Sequence, residues 1–246
     1  IHLNQIEYNL WEFWSGFGQG PDCSLHEDHN STWFETPLPI IPYNGVIRFQ
    51  VAENADQKID SIIRKFRKRK VPFMWVVHPS ALPLNLTTLL EERGLINIEP
   101  IYGMARDISQ LPEIPPHPAG IHFRKVDNHK DAGAWHQFAA SRWTIPSEYQ
   151  EIYSEVVSHF QVGTPGSNAH LWQAWRDGQP VAKAALYLGS GSAGIYAVAT
   201  KPEARRLGLA RILTLTALYF ARDSGYNLGV LHSTPMAQRL YKSLGF

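Results

Sequence analysis

Between residues 195 and 246 the chain switches between strand-like and helix-like patterns at short intervals, and this restricts the possible folds more than any other stretch. A short apolar run at 195–199 reads as a buried strand. It gives way to a basic turn, Arg205-Arg206-Leu207-Gly208-Leu209-Ala210, and then to a helix. In that helix Leu209, Ile212, Leu213, Thr216, Ala217 and Phe220 recur at i, i+3, i+4 spacing and define one buried face. Ser224-Gly225 ends it, glycine being suited to the left-handed position after a helix. Residues 228–232 read as a second strand. Thr234-Pro235 then reads as an N-cap followed by proline at the first helical position. The last helix ends in Leu240-Tyr241-Lys242-Ser243-Leu244-Gly245-Phe246.

Arg205, Arg206 and Arg211 crowd the start of the first of these helices. The macrodipole is already positive there and the first amides lack partners. An anion among the arginines would account for them, and Gly208 and the small Ala210 would let phosphate oxygens reach the backbone. A basic, solvated helix start is the alternative.

Strand, R-x-x-G-x-A (Arg205, Gly208, Ala210), helix, strand and L-Y-x-x-L-G-F (from Leu240) together resemble the GNAT superfamily, the acyl-CoA-dependent N-acyltransferases. The resemblance implies an α/β fold, a mixed twisted sheet flanked by helices. It implies that the loop and helix start formed by Arg205, Arg206, Leu207, Gly208, Leu209, Ala210 and Arg211 hold the pyrophosphate of acetyl-CoA or coenzyme A. It further implies that the strand at Val198, Ala199 and Thr200 splays from its neighbour and pairs with pantetheine and the thioester carbonyl, with Ser233 also in the cofactor set. Tyr241 matches the tyrosine that protonates the departing thiolate. A phenol has the high pKa this task needs, and fixed strand amides can steady an oxyanion. A core aromatic four residues after Ala237 is the alternative for Tyr241. The resemblance implies no metal.

At 246 residues the chain has room for one large domain or two small ones. A net charge of +1 gives no bulk attraction to nucleic acid or acidic membranes. A single cysteine, Cys23, excludes an internal disulfide and suits a reducing cytoplasm. No signal-peptide pattern or membrane-length apolar run occurs, and because Ile1 is not an initiator further residues are expected before it. Residues 1–17 carry Trp11, Phe13, Trp14 and Phe17 and suggest a short helix that packs its aromatics on another element. Residues 18–30 hold Cys23, His26, Glu27, Asp28 and His29, but without paired cysteines or H-E-x-x-H spacing they read as a polar loop. An extended or edge segment is expected at 32–42, a strand at 46–51, and a helix at 56–70 with Ile59, Ile62, Ile63 and Phe66 on one face. The basic end of that helix complements its dipole.

An internal echo follows. A strand at 73–78 ends in Val-Val-His and a helix at 84–93 precedes Gly94-Leu95. The second half has a strand ending in Val-Leu-His at 232 and a helix before Gly245-Phe246. The first half therefore reads as a degenerate copy, in a tandem of two GNAT-like domains. It has Leu90 where the second half has Tyr241, and no R-x-x-G-x-A before its helix at 56, so it should neither hold pyrophosphate nor donate the proton. A further strand at 98–105 continues it. Pro112, Pro115, Pro116 and Pro118 make 112–120 a stiff linker. The expected layout is a degenerate domain at 1–111, the linker, and an acyl-CoA-binding catalytic domain at 121–246. If the halves are copies, a strand should follow Phe246, or another segment (the aromatic start or a partner chain) should cover the edge of strand 228–232.

The catalytic half opens with a strand at 121–126, then helices at 131–143 and 147–160, a hairpin of 171–176 and 180–188 around Asp177-Gly178, and a Gly189-Ser190-Gly191-Ser192 turn. In GNAT domains the acceptor lies against these helices and the hairpin, which here carry Trp135, Trp143, Glu148, Tyr149, Glu151, Tyr153 and Trp172. Carboxylates could receive an ammonium and aromatics could wall it, or the aromatics are core. Many members carry an acid on the strand before the pyrophosphate loop, but 194–200 has none, leaving His170, His232, Glu148 and Tyr196 as candidate bases. The expected reaction moves an acetyl or other short acyl group to a primary amine of a small molecule or peptide. It would proceed in a monomer or homodimer without nucleic acid or membrane partner. A non-catalytic acyl-CoA sensor, O-acylation and acyl-CoA decarboxylation are the alternatives.

Overall fold

The computed structural model describes residues 2–98, 100–127 and 145–246. They fall into two compact units, one of Phe13–Glu99 with Glu151–His159, the other of Ile1–Glu12, Pro100–Gln150 and Phe160–Phe246.

The first unit has a sheet in the order β1 (Ser24–Glu27), β2 (Ser31–Glu35), β3 (Gly45–Phe49), β4 (Met74–Trp75). β1, β2 and β3 are antiparallel, and β3 pairs in parallel with β4. β1 lies within the expected polar loop because His26 stacks on Trp33 at 3.6 Å and hydrogen-bonds Glu35 at 2.9 Å, which anchors a fourth strand. α2 (Ala55–Arg69) connects β3 to β4 and buries Ile59, Ile62, Ile63 and Phe66, the face its periodicity predicts. α3 (Leu86–Glu91) adds Leu86 and Leu90 to the same core. α4 (Gln150–Ser158) contributes Tyr153, whose ring meets Tyr43 edge-on at 5.6 Å. α1 (Leu3–Ser15) forms the expected aromatic helix, and from Phe13 onward it belongs to this unit, with Trp14 and Phe17 against Phe34.

The second unit has a six-stranded sheet in the order β5 (Tyr102–Asp107), β10 (Leu228–Ser233), β9 (Ser192–Thr200), β8 (Gln179–Gly189), β7 (Ala169–Arg176), β6 (His122–Lys125). Only β9 and β10 are parallel. Asp177 and Gly178 both have positive φ and close the β7–β8 hairpin as the sequence predicts. α5 (Leu209–Asp223) connects β9 to β10, as α2 connects β3 to β4, so the echo in sequence is an echo in topology. α5 and α6 (Gln238–Ser243) cover one face of the sheet, in a core that includes Trp172, Leu186, Ile195, Leu213, Leu231 and Tyr241. The part of α1 before Phe13 lies on the other face, where a Cβ on Gly194 would meet Asn9 and one on Gly103 would meet Ile6. The helix expected at 131–143 lies outside the described residues.

The strand expected at 98–105 to continue the first half instead enters the second sheet. Tyr102 to Asp107 pair antiparallel with Ser233 to Leu228, residue for residue. The reason is ladder length: β10 offers a six-residue edge, whereas β4 has two residues. The outer edge of β10 is therefore covered by another segment of this chain, one that the expectation did not single out. The expected cut at 112–120 would separate β5 from a tail that also packs on this core: Leu111 and Ile114 rest on it, and the Tyr219 hydroxyl donates to the carbonyls of Leu111 and Pro112 at 3.4 and 3.3 Å. The proline-rich stretch is a strap on the second unit. The division between units falls at Pro100.

A chain beginning at residue 112 should consequently lose solubility or bind a hydrophobic dye, because β10 is left as an open edge. A well-dispersed, cooperatively melting 112–246 fragment would show that β5 is dispensable.

Candidate active site

β9 and β10 pair only at Gly229–Ala193, Val230–Gly194 and Leu231–Ile195. Beyond that point β9 stays with β8, with Tyr196 opposite Ala185 and Ala199 opposite Lys183. β10 stays with β5, with His232 opposite Gly103 and Ser233 opposite Tyr102. Among the described residues no strand fills the gap, so the inner edges of Val198, Ala199 and Thr200 face an opening. A β-bulge sits at the point of divergence: Ala197 has φ +49° and the register with β8 slips between Lys183 and Ala185. A left-handed non-glycine residue costs about 1–2 kcal/mol, and bulges of this kind bend and twist a strand.

The loop after β9 passes through a single turn at Pro202–Ala204 to Arg205 and Arg206, both exposed. Arg206 (φ +65°) and Gly208 (φ +74°) are both left-handed. Gly208 is the N-cap of α5, no side chain caps the helix, and a Cβ on Gly208 would meet nothing within 4 Å. The first intrahelical bond runs from Ile212 N–H to Gly208 O, at 3.0 Å, so the amides of Leu209, Ala210 and Arg211 face forward. Open space, forward amides and flanking guanidinium groups fit a diphosphate. Arg211 also donates to the Ser243 hydroxyl at 3.1 Å, linking the start of α5 to α6. Ser233 is buried and its hydroxyl donates to Thr234 O at 2.9 Å.

Tyr241 is held by the motif around it. Leu244 is fully buried and Gly245 has φ +88°. Phe246 N–H donates to Tyr241 O and Gly245 N–H to Lys242 O, both at 3.1 Å, a Schellman-type stop that requires glycine. The Phe246 ring meets Tyr241 edge-on at 6.1 Å. Arg106 of β5 donates to Leu244 O and Gln110 O, fixing the helix end from the neighbouring strand. Burial pushes the Tyr241 phenol up to about 12, and among the described residues its hydroxyl has no hydrogen-bond partner. Its counterpart in the echo, Leu90, is a buried core residue.

The four candidate bases separate clearly. Tyr196 is buried and its hydroxyl donates to Asn9 Oδ1 at 2.8 Å, while Asn9 Nδ2 donates to Gly189 O and Ser192 O at 2.9 and 3.0 Å. Desolvation holds the Tyr196 phenol well above its ordinary range. Asn9 also occupies the space over Gly194, so an acid on that part of β9 has no room. His170 lies beside Phe220 of α5, at 4.6 Å, where burial and then the Lys125 ammonium pull it down to about 4 and keep it neutral. Glu148 is exposed in the turn before α4. His232 is half-buried at the edge of the gap. Of the expected acceptor wall, Trp172 is core against Phe220, Tyr153 is core in the first unit, Tyr149 is half-buried and Glu151 exposed. Trp135 and Trp143 lie outside the described residues.

Asn9 is the residue that sequence reasoning passed over; a lone asparagine within an aromatic-rich helix was its only mark. Asn9→Ala strands two carbonyls and a phenol, and should lower stability by at least about 2 kcal/mol. An unchanged denaturant midpoint would show those contacts to be idle.

Residues 134–246 match the acetyltransferase (GNAT) family. Mycothiol acetyltransferase from Thermomonospora curvata is 28% identical over 193 residues, 76% of this chain. That match spans 64% of the relative's own length, less than two thirds. A GCN5-related N-acetyltransferase from Kribbella flavida superposes with a TM-score of 0.69 at 18% identity, over 96% of this chain and 89% of that one. A tandem GNAT protein from the clavulanic acid biosynthesis pathway gives 0.65 at 14% identity, over 96% and 83%.

Proposed function

We propose that this chain, whose residues 134–246 match the acetyltransferase (GNAT) family, is a tandem-domain member of the GNAT superfamily and that it transfers an acetyl or other short acyl group from coenzyme A to a primary amine of a small molecule or peptide. The observation that carries this reading is the end of β9–β10 pairing at Leu231–Ile195. Ile195 and Leu231 share a core cluster with Tyr241.

When bound, acyl-CoA supplies an activated thioester and a thiol leaving group. The amides between Arg205 and Arg211 bind its diphosphate, with the arginine side chains adding charge. The backbone groups of Val198, Ala199 and Thr200, and that of Ser233 across the gap, orient the pantetheine arm, and a β9 amide steadies the developing oxyanion. Tyr241 holds a proton on its hydroxyl for the departing sulfur. A phenol near 12 stays protonated throughout the physiological range, and positive charge developing on the attacking nitrogen lowers it when the proton is needed. The first half plays no equivalent part: the start of α2 carries Asp56, paired with Arg93 at 2.6 Å, where a diphosphate would have to sit.

Thiol release measured over a panel of acyl-CoAs and amines tests the reading. Amine-dependent release supports it, and release without amine points to other thioester chemistry. Tyr241→Phe should lower turnover by about 10²–10⁴-fold while leaving stability and coenzyme A affinity in place. Wild-type turnover in that variant would return Tyr241 to a packing role. Arg205→Ala and Gly208→Asp should each weaken coenzyme A binding by about 1.5–3 kcal/mol. Calorimetry giving unchanged affinity for both would remove the diphosphate from this loop. Because the Tyr241 pKa is raised to about 12, its ionisation should not depress activity between about pH 8 and 10. A fall in that range that disappears in Tyr241→Phe would contradict its burial.

A further inference from the structure

We propose that the outward face of α2, in the first unit, docks an acidic helical segment of a partner protein. This surface stands apart from the transfer reading above. The run Arg64-Lys65-Phe66-Arg67-Lys68-Arg69-Lys70 is basic at every position but Phe66, which is fully buried. The six cations are all exposed. The helix dipole accounts for only part of them, because its effect falls off within the last turn. That turn holds Arg67, Lys68 and Arg69, so Arg64 and Lys65 lie outside it.

The carboxylates around α2 are already engaged by other cations. Asp28 pairs with Lys58 at 2.5 Å, and Glu35 with Arg69 at 2.7 Å and His26 at 2.9 Å. Arg93 takes both Asp56 and Asp60, each at 2.6 Å. Asp60 feels Arg64 as a charge but hydrogen-bonds to Arg93. Arg67 turns to the carbonyl of Arg93 at 2.6 Å. Among the described residues this leaves Arg64, Lys65, Lys68 and Lys70 without an ion-pair partner. Arg64 and Lys68 stand one turn apart, about 6 Å along the axis, where like charges repel. Lys65 flanks them, held over the Trp33 ring at 4.7 Å. Such a row is complementary to carboxylates that repeat at the same helical spacing.

The same surface selects among anionic partners. A membrane takes apolar side chains beside the charges, yet the apolar face of α2 (Ile59, Ile62, Ile63 and Phe66) is buried in the core. A nucleic-acid single strand needs open aromatic faces. Trp33, the ring under Lys65, is buried and stacked on His26 at 3.6 Å. A duplex backbone running along the helix would meet the exposed carboxylates of Asp56 and Asp60. A protein segment needs an apolar anchor among polar contacts, and Ile96 supplies one. Arg67 Nη2 lies 4.0 Å from where a Cβ on Gly94 would stand, and Ile96, two residues further on, is 83% exposed. The partner therefore presents acidic residues at i, i+4 spacing with an apolar side chain on the adjoining face.

The test is fluorescence anisotropy of the full chain with a labelled helical peptide carrying glutamates at i, i+4 spacing and leucines on the adjoining face. Wild type should bind it, more weakly as salt rises. R64E/K68E should raise Kd by about tenfold or more, and I96S should weaken binding as well. R124E/R239E makes the same change of net charge at exposed arginines of the second unit and should leave Kd unchanged. If R64E/K68E lowers the melting temperature, R64Q/K68Q replaces it and should weaken binding in the same direction. A wild type that does not bind the peptide, or equal losses in R64E/K68E and R124E/R239E, overturns the proposal. Tighter binding to a single-stranded RNA or to phosphatidylserine vesicles than to the peptide also overturns it. None of these outcomes bears on amine-dependent thiol release, so the transfer reading stands or falls separately.

Discussion

Everything in the second unit depends on two central strands being allowed to part without the sheet coming apart. Parallel strands that lose each other's amides expose donors and acceptors that cost free energy unless something else binds them. Here each strand keeps a partner on its outer side: β9 with β8, interrupted by one bulge, and β10 with β5. The opening is confined to the inner edges, and the left-handed turn at Ala197 directs it. Strain at such a point persists only where the surroundings over-determine it, and here β8 and the core beneath Ile195 and Val198 do so.

This dependence gives β5 a role that its place in the sequence conceals. Its six pairs with β10 close the far edge of the sheet, and its Arg106 fixes the carbonyl end of α6, the helix that carries Tyr241. One strand thus keeps the gap narrow on one side and orders the helix end nearby. The L-Y-x-x-L-G-F motif acts with it: Leu244 anchors, Gly245 makes the left-handed stop, and Phe246 folds back on Tyr241.

The sequence made legible whatever was encoded locally. Periodicity located α2 and α5, paired turn residues located the β7–β8 hairpin, and the glycines at 208, 225 and 245 stood where positive φ was needed. Non-local choices were hidden. Nothing in Tyr102–Asp107 says whether it prefers β4 or β10, because that is decided by the length of edge each one offers. Proline content suggested a stiff linker at 112–120, and Leu111 and Ile114 supply the apolar surface that packs this stretch on the core. The bulge at Ala197 had no glycine to announce it. Asn9 satisfies three groups that lie at least 180 residues away in the chain, so no window could connect them.

The glycine at 194 shows how one local change propagates. Without a side chain there, β9 lets α1 approach closely enough for Asn9 to bind the β8–β9 turn and the Tyr196 hydroxyl. The same approach removes the space in which an acid on this part of β9 would stand, and it ties up the nearest phenol. Gly194 and Gly103 thus serve one arrangement, each letting α1 approach the sheet closely, at Asn9 and at Ile6. Filling Gly103 with even a methyl group would press on Ile6 at 2.9 Å before it reached His232 at 4.0 Å. Such a change would disturb the seating of α1 first.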